Sequence, residues 1–267
     1  MPQETQCSTH RTHHSARVNS YQQVSDLLTK FWVQEEVPEF SANQLSPDDQ
    51  SCEDYYVKTH SRDQDGRYVV RILLKASPSL LGNSLARAHQ CLQHMIRRLT
   101  KNDSYAQVYH TFMQEYESLN DMTRAKANLV NSPVYYLPYH GVLRKDSVTT
   151  KLCVVFIESS SSGFSVNDIQ HTSAKVQKDI TDVLIWIRQH KFVFTSDITK
   201  MYRRIKVHQD DWDLQRIFWV NEHSNIIPYQ LTTVTYSIRS APFQAIHTLI
   251  QLVKDEGHRF PLAVDSL

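Results

Sequence analysis

Residues 191–207 read KFVFTSDITKMYRRIKV, and this stretch decides how the rest of the chain is interpreted. Phe192, Val193 and Phe194 form an apolar run that predicts a short buried strand, and the residues after it predict a helical turn. A single carboxylate, Asp197, falls between the two. Rigid strand ends often carry metal ligands in α/β enzymes, so Asp197 is a candidate ligand. The alternative is that Asp197 only caps the helical turn that follows it.

The composition limits the classes of protein to which the chain can belong. Its 267 residues suffice for one large or two small domains, and a formal net charge of +1 confines any basic surface to local clusters. It has 5 glycines where average usage gives about 19, which excludes a Gly-rich phosphate loop. The 4 cysteines form no CxxC pair, which argues against structural zinc and a disulfide framework.

The sequence predicts neither secretion nor a membrane span. The amino-terminal segment MPQETQCSTHRTHHSARVNS has no apolar core, and no window approaches about 18 consecutive apolar residues. We therefore expect an intracellular chain without a membrane partner, in either the cytoplasm or the nucleus. Residues 1–20 are predicted to be a disordered tail.

Hydrophobic periodicity predicts an α+β fold. Apolar residues recur at helical spacing within residues 21–36, 84–100, 104–119, 175–190 and 240–257. The helix at 175–190 is expected to turn Val176, Ile180, Val183 and Ile187 inward. Extended runs at 54–59 and 67–75, at 134–143 and 151–157, and at 215–220 and 226–231 predict three hairpins around polar turns.

Eight short pieces of sequence follow one another in a specific order. They are TKFWVQEE, DGRYVVRILLK, YYLPYHGV, TTKLCVVF, KFVFTSDITKMYRRIKVHQDD, QRIFW, LTTVTY and SAPFQAIHTL. In this order the chain resembles the BEL/Pao class of LTR retrotransposon polyproteins, from about residue 31 to residue 263. The resemblance implies a segment preceding the polymerase at 21–130. It also implies a partial reverse transcriptase domain at 131–267, an incomplete right-hand fold with fingers and part of the palm.

The resemblance assigns roles around the metal and the sugar. Asp197 matches the first catalytic carboxylate of the palm, which helps to hold two Mg²⁺ ions during nucleotidyl transfer to a primer 3′-hydroxyl. The backbone carbonyl of Ile198 matches a further metal ligand. Tyr202 matches the aromatic residue that rejects a ribose 2′-hydroxyl.

The resemblance also assigns contacts to the incoming dNTP and to the nucleic-acid template and primer. Lys145 and Lys151 match the fingers cations that grip the triphosphate, and Tyr236 matches the segment that packs under the nucleotide and the template base. Four cations near Tyr202 suit contacts with a nucleic-acid backbone; these are Lys200, Arg203, Arg204 and Lys206. The alternative for these four is a solvated helix face.

Several departures from the family pattern bear on activity. Cys153 stands where family members usually have an arginine that contacts the triphosphate, and Ser237 stands where they have a glycine. The chain ends at FPLAVDSL, whereas the family's YVDD hairpin, with the second metal carboxylate, follows just beyond that point. One carboxylate cannot hold two mutually repelling cations. We therefore expect no DNA polymerisation by this chain alone. The alternatives are a non-catalytic nucleic-acid- or protein-binding remnant and an unselected remnant.

Overall fold

Helices alternate with short strands in the computed structural model, which describes residues 45–126, 133–144, 152–157, 163–172, 179–221 and 223–261. The helices in these ranges are α1 (Pro47–Thr59), α2 (Leu85–Leu99), α3 (Asp103–Ser118), α4 (Ile180–Arg188) and α5 (Ala241–Glu256). The strands are β1 (Ser61–Arg62), β2 (Tyr68–Val70), β3 (Met122–Arg124), β4 (Tyr139–Leu143), β5 (Leu152–Phe156), β6 (Lys206–Val207), β7 (Arg216–Val220) and β8 (Ile226–Leu231). The α+β prediction is confirmed.

The described strands form three small sheets. Strands β1, β2 and β6 form one sheet, in which β2 and β6 run parallel with Val70 opposite Val207. Strands β3, β8 and β7 form an antiparallel sheet, and β4 pairs with β5 in a two-stranded hairpin. The hairpins predicted at 134–157 and 215–231 are therefore confirmed, with shorter strands in the first.

The described residues form two clusters of buried apolar side chains. The first joins α2 and α3 to β4, β5, β7 and β8, and in it the ring of Tyr109 stacks on Trp219 with 5.5 Å between centroids. The second lies around Val70, Ile205 and Phe243, where β2 and β6 meet α5. Residues of α2 and α3 enter the first cluster at the 3–4 spacing that predicted these helices.

Gly141 allows α3 to approach the hairpin of β4 and β5 closely. A Cβ atom at this position would lie 2.5 Å from the ring of Tyr109 and 2.6 Å from the hydroxyl of Tyr105. The Tyr105 hydroxyl donates a hydrogen bond to the carbonyl of Gly141 at 3.0 Å. Glycine is therefore required here by packing, since any larger side chain would push the helix from the strand.

The first predicted hairpin is only partly correct. Residues 54–59 lie in α1, not in a strand; instead Ser61–Arg62, expected in the turn, forms the strand that pairs with Tyr68–Val70. The prediction missed the start signal of this helix. Ser46 caps the helix by accepting a hydrogen bond from the amide of Asp49 at 3.2 Å, and Pro47 occupies the first turn. Cys52 and Tyr56, four residues apart, are then buried by the helix.

Two predictions around residue 190 are wrong. Residues 192–198 have no regular secondary structure, so the expected buried strand is absent from this described segment. Helix α4 has no buried residue; Val183 and Ile187 are half-buried and Ile180 is exposed. Both segments contain enough apolar residues for a buried strand and a buried helix face. Neither is buried, because no described element packs against those apolar side chains.

Other predictions remain untested. The tail at 1–20, the helix at 21–36 and Val176 lie outside the described residues. The proposed division near residue 130 also stays a prediction, although strands from before and after it pair, as β3 does with β8. None of the helices in the described ranges is both long and apolar enough to cross a bilayer.

Candidate functional site

The 191–207 stretch divides into two parts with different surroundings. We name residues 191–198 the open half and residues 199–207 the anchored half. Every residue of the open half is exposed, with Phe194 at 94% and Phe192 at 73%. In the anchored half, Ile205 and Val207 are buried. The predicted site residues within this stretch therefore lie in two very different environments.

Asp197 lies in the open half, where its carboxylate makes no hydrogen bond or ion pair with any described residue. The carbonyl of Ile198 accepts a hydrogen bond from the amide of Met201 at 3.2 Å. The described part of the chain contains no group of three or more His, Cys, Asp or Glu residues that could hold a metal ion. The residues placed around Asp197 thus do not fit the ligand set that two Mg²⁺ ions require.

The anchored half begins with a sharp turn and ends in a sheet. Lys200 has φ of 58°, in the left-handed region, and leads into a 3₁₀ turn at Met201–Arg204. The amide of Val207 then donates to the carbonyl of Thr232 at 2.8 Å, beside the parallel pairing of β6 with β2. These backbone bonds fix where Tyr202 and Arg203 point.

Arg203 is held inside the protein by two carboxylates and a ring. Its Nη1 lies 2.7 Å from Oε1 of Glu115, and its Nε donates to Oδ2 of Asp121 at 2.5 Å. Its Cζ lies 4.1 Å from the ring centroid of Tyr116. Burial raises the pKa of Tyr116 to about 12. Because its charge is neutralised internally, Arg203 is not free for a phosphate.

Two more of the four cations predicted to contact a nucleic-acid backbone also form ion pairs within the protein. Lys200 forms an ion pair with Glu115, and Lys206 lies 2.5 Å from Oδ2 of Asp63. Only Arg204 of the four has no carboxylate partner among the described residues; its Nε donates to the carbonyl of Thr199 at 3.4 Å. The expected nucleic-acid surface at residues 200–206 therefore presents little uncompensated charge.

Tyr202 and Tyr236, to which the resemblance gives roles at the nucleotide, lie near each other. Their ring centroids lie 6.4 Å apart with an interplanar angle of 52°. Tyr236 also contacts Phe156 of β5, at 5.6 Å between centroids, and burial raises its pKa. Lys145 and Lys151 lie outside the described residues; in sequence they fall between Leu143 and Leu152, which pair across the hairpin.

A different cluster of cations was missed from the sequence. A pocket of about 450 Å³, the α2–β4 pocket, opens between α2 and β4 and is lined by Arg87, Arg98, His94 and His140. No carboxylate of the described residues lines it. The sequence did contain a signal for this basic cluster. Helix α2 reads LARAHQCLQHMIRRL, with basic residues at helical spacing and no acidic residue.

The two arginines of this pocket lack ionic partners in the described chain. The Nε of Arg87 is buried without a hydrogen-bond partner. Arg98 lies with its Cζ 5.2 Å from the ring centroid of Tyr105 and forms no ion pair with a described carboxylate. This contrasts with Arg203, so the α2–β4 pocket is the stronger candidate for contact with an anion.

A comparison of the sequence with protein-family models finds no match, and a comparison with curated proteins finds none either.

Proposed function

We propose that this chain is the fingers and part-palm portion of an RNA-directed DNA polymerase of a retrotransposon, and that it does not transfer nucleotides by itself. The order of its motifs supports the ancestry. The contact of Tyr202 with Tyr236 carries the proposal, because two residues distant in sequence, both expected beside the incoming dNTP, lie together.

The chemistry of the site supports the loss of catalysis. Asp197 is exposed and makes no hydrogen bond or ion pair with a described residue, and the described residues include no group of three or more His, Cys, Asp or Glu side chains that could hold a metal ion. A family enzyme would bind Mg²⁺ between several carboxylates, which activates the primer hydroxyl and stabilises the leaving pyrophosphate. Without such a group of ligands among the described residues, the repulsion between two such ions is not overcome.

Primer extension tests this proposal directly. The purified chain is incubated with an RNA template, a DNA primer, dNTPs and either Mg²⁺ or Mn²⁺, and products are resolved at single-nucleotide length. We expect no extension. Extension that is present in the parent chain and vanishes in Asp197→Ala would overturn the loss of catalysis and support an active polymerase.

A second function, nucleic-acid binding without catalysis, is favoured by the α2–β4 pocket. Arg87 and Arg98 are eleven residues apart on one helix, so they are separated by about 16 Å along its axis. A row of that length can contact several phosphates of one strand. With net charge near zero, such a local row is the only kind of basic surface expected.

Binding over a salt series tests the second function. Fluorescence anisotropy with labelled single-stranded RNA measures affinity for the parent chain, Arg98→Ala and Arg97→Ala. Arg97 is the matched control, because it is exposed on the same helix but does not line the pocket. We expect Arg98→Ala to reduce the slope of log K against log salt by about 0.7, the loss of one phosphate contact, and Arg97→Ala to leave it unchanged.

The remaining outcomes of this experiment are also informative. Equal effects of the two substitutions would show that any cation on this helix contributes equally to RNA binding. That result would exclude a specific role for the pocket. Absence of binding at low salt would favour a protein-binding or unselected remnant.

A further inference from the structure

The open half exposes a strand-like sequence that no described element covers. Phe192 and Phe194 are exposed at 73% and 94%, although large aromatic side chains are usually buried. No backbone hydrogen bond joins residues 191–197 to other described residues. Exposed apolar residues with free backbone donors and acceptors are typical of a segment that pairs with another chain.

The sequence of this segment is complementary to itself. Residues 191–197 read KFVFTSD, with Phe194 at the centre. If two copies run antiparallel and cross at Phe194, Lys191 of each copy lies opposite Asp197 of the other. Neither residue has an oppositely charged partner among the described residues, so both charges are available for such pairs. Opposite charges directly across a ladder stabilise it.

The same register sorts the side chains onto two faces. Residues with even numbers share one face, because side chains alternate along a strand. On that face Phe194 lies opposite Phe194 of the second copy, with each Phe192 on the diagonal, which gives four adjacent rings. The other face carries the two Lys191–Asp197 pairs. A register shifted by one residue loses both of these charge pairs.

We propose that residues 191–197 of two copies of this chain pair as antiparallel strands about a two-fold axis at Phe194. The interface is isologous, so both copies use the same segment. An isolated two-stranded ribbon is marginal in water and needs further apolar contact. Helix α4 directly precedes the segment and exposes Leu184 at 52% and Ile185 at 54%, so we include this apolar surface in the proposed interface.

This inference goes beyond the proposed function and does not depend on it. Pairing uses the carboxylate of Asp197 as an ionic partner for Lys191, whatever the ancestry of the residue. It requires no nucleic acid, so failure of the dimer and failure of nucleic-acid binding are separate results.

Charge exchange tests the pairing and its direction. Sedimentation velocity measures the mass of the full chain over a concentration series, for the parent, Lys191→Asp and Asp197→Lys. We expect a dimer for the parent and dimer dissociation constants about tenfold higher for each variant, because two attractive pairs become repulsive. Mixing the two variants in equal amounts should restore the parent affinity, since each then meets an opposite charge.

Cross-linking tests the register. Under mild oxidation Phe194→Cys should form a covalent dimer, because the two residues face each other across the axis. Phe192→Cys is the control, since it lies opposite Ser196 and should cross-link no more than the parent with its own cysteines.

Three results would overturn the proposal. The first is a parent chain that stays monomeric at every concentration. The second is a mixture of the charge variants that dimerises no better than either alone. The third is equal cross-linking at residues 192 and 194. Unfolding midpoints of the variants should match that of the parent, because these side chains are exposed.

Discussion

The open half and the anchored half of the 191–207 stretch differ more in their partners than in their residues. Both contain apolar side chains between charged ones, yet Phe194 is 94% exposed whereas Ile205 is 3% exposed. The anchored half finds β2 on one side and Thr232 and Val234 on the other, through backbone bonds such as that from the Val234 amide to the Ile205 carbonyl. A strand-like sequence is therefore buried only where another element supplies its hydrogen bonds.

Removing the charge of Arg203 should be the largest single disruption of the anchored half. Arg203→Met keeps apolar contact with Tyr116 but leaves Asp121, which is 3% exposed, without its cation. We expect a loss of about 3–5 kcal/mol in the free energy of unfolding, measured by urea denaturation. Arg204→Met is the control and should cost less than about 0.5 kcal/mol, because Arg204 is exposed. Equal losses would contradict the ion network.

Truncating an apolar side chain should affect stability very differently in the two halves. Ile205→Ala removes a buried side chain beside Val70 and should cost about 2–5 kcal/mol of stability. Phe194→Ala removes a larger side chain from the open half and should leave stability almost unchanged. Thermal unfolding of dilute protein measures both. A large loss from Phe194→Ala would mean that the open half packs within one chain.

Acidification should weaken the anchored half through Glu115. Burial alone would raise the pKa of Glu115, but hydrogen bonds from Lys200 and Arg203 outweigh it and hold the pKa below its ordinary value. A carboxylate with a lowered folded pKa stabilises the protein above its unfolded pKa of about 4.3 and loses that contribution as the pH falls through the folded value. We expect stability to decrease below about pH 4.

Glu115→Gln provides the control for this pH dependence. It should be less stable than the parent at neutral pH, by less than Arg203→Met, and its stability should fall less steeply below about pH 4. Urea midpoints at a series of pH values measure the difference. Parallel pH profiles for the parent and variant would exclude Glu115 as a source of the acid sensitivity.

Lys206 should give the smallest effect. Its pair with Asp63 holds β6 to the β1–β2 turn, but the lysine side chain is 33% exposed. Lys206→Met should therefore cost about 0.2–1 kcal/mol of stability, less in high salt. Lys191→Met, in the open half, should cost nothing in a monomer. A difference that persists unchanged at high salt would contradict an ionic origin.

Much of the fold could be predicted because its signals are local. Helix α2 buries Ala88, Leu92, Met95 and Leu99, all on the face expected from the 3–4 spacing. The hairpin of β7 and β8 and helix α5 also lie where the pattern placed them. Helix α1 was missed because the tyrosines at 55 and 56 favour strands. The Ser46 cap and the contact of Tyr56 with Phe243 of α5 stabilise a helix here instead.

The candidate site could be predicted less completely. The resemblance gave Tyr202 and Tyr236 roles at the nucleotide; the structure places their ring centroids 6.4 Å apart, and the roles stay predictions. The motif order could not tell that Arg203 and Lys206 are neutralised, because their partners Asp121 and Asp63 lie far away in sequence. The converse holds at the α2–β4 pocket: the motif order gave no role to Arg87 and Arg98, and only the structure shows that no described carboxylate lines the pocket with them.

The sequence by itself determined the positions of most helices and hairpins and the order of motifs along the chain. These follow from side-chain periodicity and capping, which act over a few residues. Only the tertiary structure decided which cations keep a free charge and which apolar segment stays exposed. Both depend on partners distant in the chain, since neutralising a charge or burying a strand requires a second surface in contact.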